Sequence, residues 1–300
     1  MANFHIEPTS KCTLECPLCD RTWFEKKFNK RLLHELDVDT IVNFLGKNNN
    51  LNLCGNNGDP IYHSKFFELC SKLKANNNSL VIETNGSAKT KTWWEKLSKI
   101  LNNKDTIIFS IDGLQDTNHL YRKNAKWKSI MTAVDTVTGK AFKTIWKFIV
   151  FKHNQHQIKQ AEQKSKELGF DRFKIIHSHR WGDRQDLMPD KKYTNNKFET
   201  QQKVVTTNVD GKMIPGCLIK QDGIQMYIDS EGDFYPCCWM GSYRFKYKSI
   251  FKPNAKKYNI ANTSLENILK EIKVKQFYES TKQFTSAHEC CKIHCGELNG

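Results

Sequence analysis

From the start of the chain to about residue 178, short β-rich apolar runs alternate with stretches whose apolar positions recur every three to four residues. That alternation predicts repeated βα units around parallel strands. Six strands are predicted, near Phe4–Glu7, Leu51–Cys54, Leu80–Thr84, Thr106–Ile111, Thr144–Phe151 and Phe173–His177. Helices fall between them. One opens at Asp37 or Asp39 and carries Val38, Ile41, Val42 and Leu45 on one face, and another follows Asn154 as its N-cap. Each strand end then feeds a loop on the same rim, where α/β barrels and open parallel sheets build their sites. Residues 182–216 are polar and weakly patterned and read as a connector. Beyond them, Gln225–Ile228, a turn at Ser230, Glu231 and Gly232, and Phe234–Pro236 read as a hairpin running into Cys237 and Cys238. A helix is expected from Thr263, with Glu266 at capping-box spacing. The 300 residues accommodate a large α/β domain over 1–205 and a small one over 206–300.

Composition narrows the class. The longest apolar run, Thr144–Phe151, is interrupted by Lys147, so no membrane span is expected. The opening MANFHIEPTS has no basic start followed by an apolar core, which argues against a secretory signal and makes the cytoplasm the expected compartment. A net charge of +15 comes mostly from dispersed lysines. Such a balance fits either a solvated lysine surface or an anionic partner, nucleic acid included.

The eleven cysteines are unevenly spread: Cys12, Cys16 and Cys19 crowd eight residues, Cys54 and Cys70 stand alone, and six follow residue 216. In a chain of this size without an export signal, that distribution argues against a disulfide framework. Cys54 and Cys70 fall in apolar strand and helix patterns and are expected to be core thiols. Three is the informative number in the first group. Four thiolates saturate a 4Fe-4S cube, whereas three leave one iron open to a chelating small molecule. A zinc knuckle wants four ligands, and a Cys-x-x-Cys redox pair at Cys16 and Cys19 would not need Cys12.

Cys12-x3-Cys16-x2-Cys19, directly after the first strand, resembles the radical SAM superfamily. The following turns resemble the family's in order. Asn57-Gly58-Asp59-Pro60 is similar to its Gly-Gly-Glu-Pro turn, with Asn57 replacing a glycine and Asp59 one methylene shorter than glutamate. Thr84-Asn85-Gly86 ends the third strand, and Ser110-Ile-Asp112-Gly113, with His119 and Arg122 beyond, ends the fourth much as in SPASM-type members. The resemblance implies a partial (βα)6 barrel. In it Cys12, Cys16 and Cys19 hold a 4Fe-4S cluster, and Asn57, Gly58, Asp59, Pro60, Thr84, Asn85, Ser110, Asp112 and Arg122 hold S-adenosylmethionine. It also implies an enzyme that reductively cleaves this cofactor to a 5'-deoxyadenosyl radical, which takes hydrogen from a substrate, with a flavodoxin or ferredoxin as electron donor.

Cys217, Gly232 and Cys237 resemble in spacing the opening of a SPASM or twitch domain. With Cys291 and Cys295 they make four thiols, enough for one auxiliary cluster, although four thiolates also fit zinc. Adjacent cysteines cannot easily face one cube, so one of Cys237 and Cys238, and one of Cys290 and Cys291, is expected to be a bystander, with Cys237 and Cys291 as the ligands.

By the same resemblance the expected substrate is a peptide or protein. The first strand begins almost at Met1, so a separate recognition protein, a leaderless substrate or a non-peptide substrate are all open. RNA or nucleotide modification is the alternative raised by the charge, and a non-catalytic metal-binding relative is another. His179, Arg180 and Asp183, after the sixth strand, are candidates for substrate contact or proton transfer, with Tyr62 and His63 behind them. Trp23, Phe24 and Phe28 are expected to pack over the first cysteine group.

Overall fold

Six parallel strands pair strictly in chain order. They are β1 (Asn3–Ile6), β2 (Asn50–Leu53), β3 (Ser79–Thr84), β4 (Thr106–Ser110), β5 (Lys143–Ile149) and β6 (Arg172–Ile176). The computed structural model describes residues 2–178, 181, 184–194, 213–215, 225–242, 257–280, 288, 291 and 296–298. Helices α1 (Asp20–Phe28), α2 (Val38–Leu45), α3 (Phe66–Ala75), α4 (Lys91–Ser98), α5 (Asn118–Tyr121), α6 (Trp127–Val137) and α7 (Ile158–Glu167) fill the connections. The result is the expected α/β partial barrel of six βα units.

Strand periodicity divides the sheet into two chemistries. Phe4 and Ile6 of β1, Ile82 of β3, Phe109 of β4 and Phe148 of β5 are all but sealed in the helix-covered core. The alternate positions carry His5, Glu83, Ser110 and Lys147, which turn to the opposite side.

The predicted strands agree with the observed ones to within two residues, and α2 opens at Asp37, whose carboxylate accepts from the Thr40 amide at 2.9 Å. Asn154 behaves differently. Only a 3-10 turn follows it, and its side chain donates to the carbonyls of Asp112 and Ile149 and accepts from the Phe151 amide, lashing the ends of β4 and β5 together. The helix after it begins at Ile158. Helix α8 (Leu265–Lys270) is capped by Ser264 rather than Thr263, the Ser264 hydroxyl accepting from the Asn267 amide. It is followed by α9 (Ile272–Ser280).

The late hairpin extends the sheet. Strand β8 (Gln225–Ile228) runs parallel to β1 in the register Asn3↔Gln225 to Ile6↔Ile228, and β9 (Phe234–Tyr235) folds back on it. The sheet order is therefore β6-β5-β4-β3-β2-β1-β8-β9. A separate ribbon pairs β7 (Met213–Pro215) with β10 (Gly296–Leu298), placing Pro215 opposite Gly296. No helix among the described residues is long and apolar enough to cross a membrane.

A cysteine-lined candidate active site

Strand β1 delivers the chain to the carboxyl rim, and the next twelve residues wrap over it. Thr9 and Ser10 anchor that wrap through the His34 carbonyl. Leu14 and Cys16 then bury among Tyr121, Phe151 and Trp181. Cys19 sits at the N-cap of α1, with its backbone extended, so the positive end of a helix dipole lies at the last thiol.

Cys12, Cys16 and Cys19 are unpaired thiols that line one cavity of about 260 Å³. Its other walls include Asn57, Gly58, Asp59, Thr84, Asn85, Ser110 and Arg122, as expected. Pro60 opens a 3-10 turn behind the wall, and Asp112 stands one layer back. Asp112 is fully buried, accepts from the Ile149 amide at 2.7 Å, and grips Arg122 Nε at 2.6 Å. Burial works against the Arg122 charge, and Asp112 more than restores it. The guanidinium is thereby aimed into the cavity. His119 is exposed on α5, outside the wall.

The turn after β2 is built around one carboxylate, Glu7, which the sequence pattern marks only as a strand residue. Glu7 Oε1 accepts from the amides of both Asn57 and Gly58 at 2.7 Å, while Oε2 accepts from Asn57 Nδ2 at 3.2 Å and from the Tyr227 hydroxyl at 2.7 Å. Burial pushes the Glu7 carboxyl up to about 7, although all four partners favour its charge. Asn57, the departure from glycine, thus donates its side-chain amide to the same hub. Gly58 has no such latitude, because a Cβ there would lie 1.8 Å from the Thr9 carbonyl oxygen. Gly58→Ala is expected to dislodge the turn, weakening S-adenosylmethionine binding at least tenfold in equilibrium titration, which corresponds to about 1.4 kcal/mol.

Asp59, the shorter acid, is committed locally. Its Oδ2 accepts from Thr84 Oγ1 at 2.9 Å and from the Asn85 amide at 2.8 Å, tying the turn to the end of β3. Burial raises it to about 6. Asn85 Nδ2 also approaches Cys12 Sγ at 3.7 Å. Arg21 is a further residue without a sequence-based role. It donates to the carbonyls of Leu14 and Asn57 and pairs with Glu25 at 2.8 Å, so it fastens the cysteine loop to the turn.

Beneath the cysteines the cavity wall is polar. Glu83 pairs with Lys147 and accepts from the Ser110 hydroxyl at 3.0 Å; burial opposes its charge, but Lys147 and Ser110 hold it down to about 2. Burial lowers His5 to about 4, leaving a neutral ring against the Cys54 carbonyl. Lys147, which broke the longest apolar run, was the legible signal for this wall. Cys70 is a core thiol as expected, but Cys54 is half-buried and lines the cavity, because Leu51 and Leu53 take the core positions of β2 and the alternation carries the next residue to the side of His5 and Asn52.

Other candidates separate cleanly. His63 is buried with both ring nitrogens engaged, Nε2 at the Leu36 carbonyl and Nδ1 accepting from the Lys65 amide, which marks a structural histidine. Tyr62 meets Thr13 at 2.7 Å. Phe24 packs with Leu32 and Trp23 in a small cluster, whereas Phe28 is 48% exposed rather than packed over the cysteines. His179, Arg180 and Asp183 lie outside the described residues, as do Cys217, Cys290 and Cys295. Trp181, set among the first three, is wholly buried against Phe151. Cys291 is buried in the core, and Cys237 and Cys238 pack against that core half-buried. Asn56 joins the two cysteine regions, its carbonyl facing Cys19 Sγ at 3.8 Å and its Nδ2 donating to the Cys238 carbonyl at 2.9 Å.

The donor set fits an iron-sulfur cluster. Three thiols of one loop face the cavity, the fourth cysteine of its lining, Cys54, has its thiol on its own chain 3.9 Å from the Gly55 carbonyl, and burial pushes Cys12 up to about 12 and Cys16 to about 11, so a thiolate forms there when a metal centre supplies positive charge.

Known proteins agree with this geometry. The model of the radical SAM superfamily matches residues 6–173, and that of SPASM, an iron-sulfur cluster-binding domain, matches 217–296. The chain belongs to the radical SAM superfamily, in its SPASM subgroup. It is therefore an enzyme of a 4Fe-4S cluster and S-adenosylmethionine, and its C-terminal region matches an iron-sulfur domain rather than a zinc one. Among solved structures, anSMEcpe with bound AdoMet and Cp18Cys peptide shares 15% identity over 93% of this chain and 83% of its own, at a TM-score of 0.62. Streptococcus suis SuiB bound to precursor peptide SuiA shares 15% over 97% and 70%, at 0.63. BtrN in complex with AdoMet and 2-DOIA shares 14% over 97% and 91%, at 0.55. No curated protein sequence matches.

Proposed function

We propose that this enzyme modifies a peptide or protein by hydrogen abstraction, with Cys12, Cys16 and Cys19 as ligands of the catalytic cluster. One observation carries the site assignment: three unpaired thiols open on the same cavity as the turns that end β2, β3 and β4. The chemistry that the cluster and S-adenosylmethionine supply when bound is one-electron cleavage of a carbon-sulfur bond, yielding a fragment that takes hydrogen from the substrate. The chain's own residues do the rest. Arg122, fixed by Asp112, offers a fork for the cofactor's carboxylate, and Ser110 offers a hydroxyl to its ribose. Gly58 lets the turn backbone close on Thr9 at the root of the cysteine loop, and Leu14, Tyr121 and Trp181 keep water from that loop. His179, Arg180 and Asp183 are kept as candidates for substrate contact.

The peptide class is favoured because anSMEcpe and SuiB, which share the fold, were captured with peptides. BtrN, also of this fold, holds 2-DOIA instead. The second reading, an RNA or nucleotide substrate, is favoured by the charge of +15 alone. For the division of labour, residues 1–205 form the catalytic domain and 206–300 an auxiliary module that shares its hairpin with the main sheet. In that module Cys217, Cys237, Cys291 and Cys295 bind a second cluster, a reading supported by the pairing of Pro215 with Gly296, two residues before Cys217 and one after Cys295. A flavodoxin or ferredoxin supplies the electron, and the cytoplasm is the compartment.

Anaerobically reconstituted protein is expected to release 5'-deoxyadenosine from S-adenosylmethionine, faster in the presence of a peptide substrate and unaffected by RNA. Stimulation by RNA alone would reverse the substrate assignment. Cys217→Ala is expected to lower bound iron by about half, since one of two cubes loses a ligand. Unchanged iron with bound zinc would remove the second cluster.

A further inference from the structure

Helix α1 leaves the cysteine loop at Cys19 and ends in an unusual surface. Lys26, Lys27, Phe28, Lys30, Arg31 and Leu33 are all exposed, four cations interleaved with two large apolar side chains. Phe28 and Leu33, 48% and 60% exposed, are two of the four large hydrophobic side chains left open among the described residues. The nearby acid, Glu25, is spent on Arg21 and the Leu32 amide. Among the described residues none of the four cations has a carboxylate partner. Some other lysines are neutralised: Lys72 pairs with Asp39 and Glu68, Lys164 with Glu167, and Lys166 with Glu162. Lys27 also lies over the Trp23 ring at 4.7 Å, which holds part of the charge in place.

We propose that this end of α1 and the segment after it dock the acidic one-electron carrier that reduces the cluster held by Cys12, Cys16 and Cys19. The inference rests on the cluster assignment above. A helix of nine residues puts Phe28 about 13 Å along the axis from Cys19, so a carrier seated there is close to the metal centre without entering the substrate cavity. Unpaired surface charge raises encounter rates with an oppositely charged partner, and a small apolar centre suits the brief contacts of electron transfer. At this surface the carrier loses one electron and the cluster gains one; no bond forms or breaks and no proton has to move.

The test uses the reconstituted holoenzyme and its Lys26→Glu/Lys27→Glu/Lys30→Glu/Arg31→Glu variant, with 5'-deoxyadenosine release driven either by reduced flavodoxin or by dithionite. The flavodoxin-driven rate is expected to fall on the order of tenfold or more and to lose its salt dependence, because steering by charge is worth that much. The dithionite-driven rate and the iron content are expected to stay at wild-type values. Phe28→Ala/Leu33→Ala, which keeps the charge, is expected to weaken flavodoxin binding while leaving the salt dependence. A flavodoxin-driven rate unchanged by the reversal overturns the proposal. Equal losses with both reductants overturn it too, by tracing the effect to the cluster. If instead the reversal abolishes RNA binding and spares reduction, the surface is a nucleic-acid footprint. Absence of product with dithionite in the wild type is a separate outcome that sinks the cluster assignment itself.

Discussion

Cys16→Ala is expected to abolish 5'-deoxyadenosine release altogether and to remove the iron and sulfide of one cluster, while Cys70→Ala retains both. Cys16 is the most enclosed of the three loop thiols, packed with Leu14 and Tyr121 and facing the half-buried Arg122. No neighbour can substitute for it. Cys54 lines the same cavity, but its thiol is turned to its own chain, 3.9 Å from the Gly55 carbonyl. Iron and acid-labile sulfide analysis beside product release checks the result. A Cys16→Ala protein that keeps its full iron and still makes 5'-deoxyadenosine would remove Cys16 from the ligand set.

The three thiols were legible because their chemistry is local: three cysteines in eight residues after a strand say what they are wherever the loop goes. The strand ends were legible for the same reason, since each turn motif closes a predicted strand. What could not be read is what depends on long-range pairing. Glu7 looks like the last residue of a strand until β8 arrives, more than two hundred residues later, and presents Tyr227 to it. Asn154 fits the sequence rule for an N-cap, yet the ends of β4 and β5 offer its side chain two buried carbonyls, a stronger claim than an exposed helix start. The apolar neighbours of Cys54 suggest a core thiol, but Leu51 and Leu53 hold the core positions of β2, and the two-residue alternation carries Cys54 to the side of His5 and Asn52.

The same hub sets the second large expectation, because Glu7 connects the cofactor turn with the strand that opens the C-terminal module. Glu7→Ala leaves the amides of Asn57 and Gly58 buried without an acceptor, at about 1 to 3 kcal/mol for each. The variant is expected to lose much of its stability and to bind S-adenosylmethionine weakly even when its first cluster is intact. Glu7→Gln is milder, since the Tyr227 hydroxyl can turn to accept and the Asn57 side chain has a buried oxygen without a partner to offer. Its informative readout is pH. Burial lifts Glu7 from 4.5 to about 7, so the folded protein holds a proton there that the unfolded chain has released. That contribution is fully present below about pH 4.5 and is lost as pH rises through about 7. It amounts to about 3 kcal/mol across the window. Asp59, raised from 3.8 to about 6, acts in the same direction, whereas His5, lowered from 6.5 to about 4, stabilises with rising pH and opposes both. The wild-type profile is therefore a partial cancellation, and the difference between Glu7→Gln and wild type isolates the carboxyl. Relative to wild type, the glutamine variant is expected to gain stability between pH 5 and pH 7.5 in denaturant unfolding; parallel profiles for the two proteins would mean that Glu7 is charged throughout and that its four donors, rather than burial, govern it.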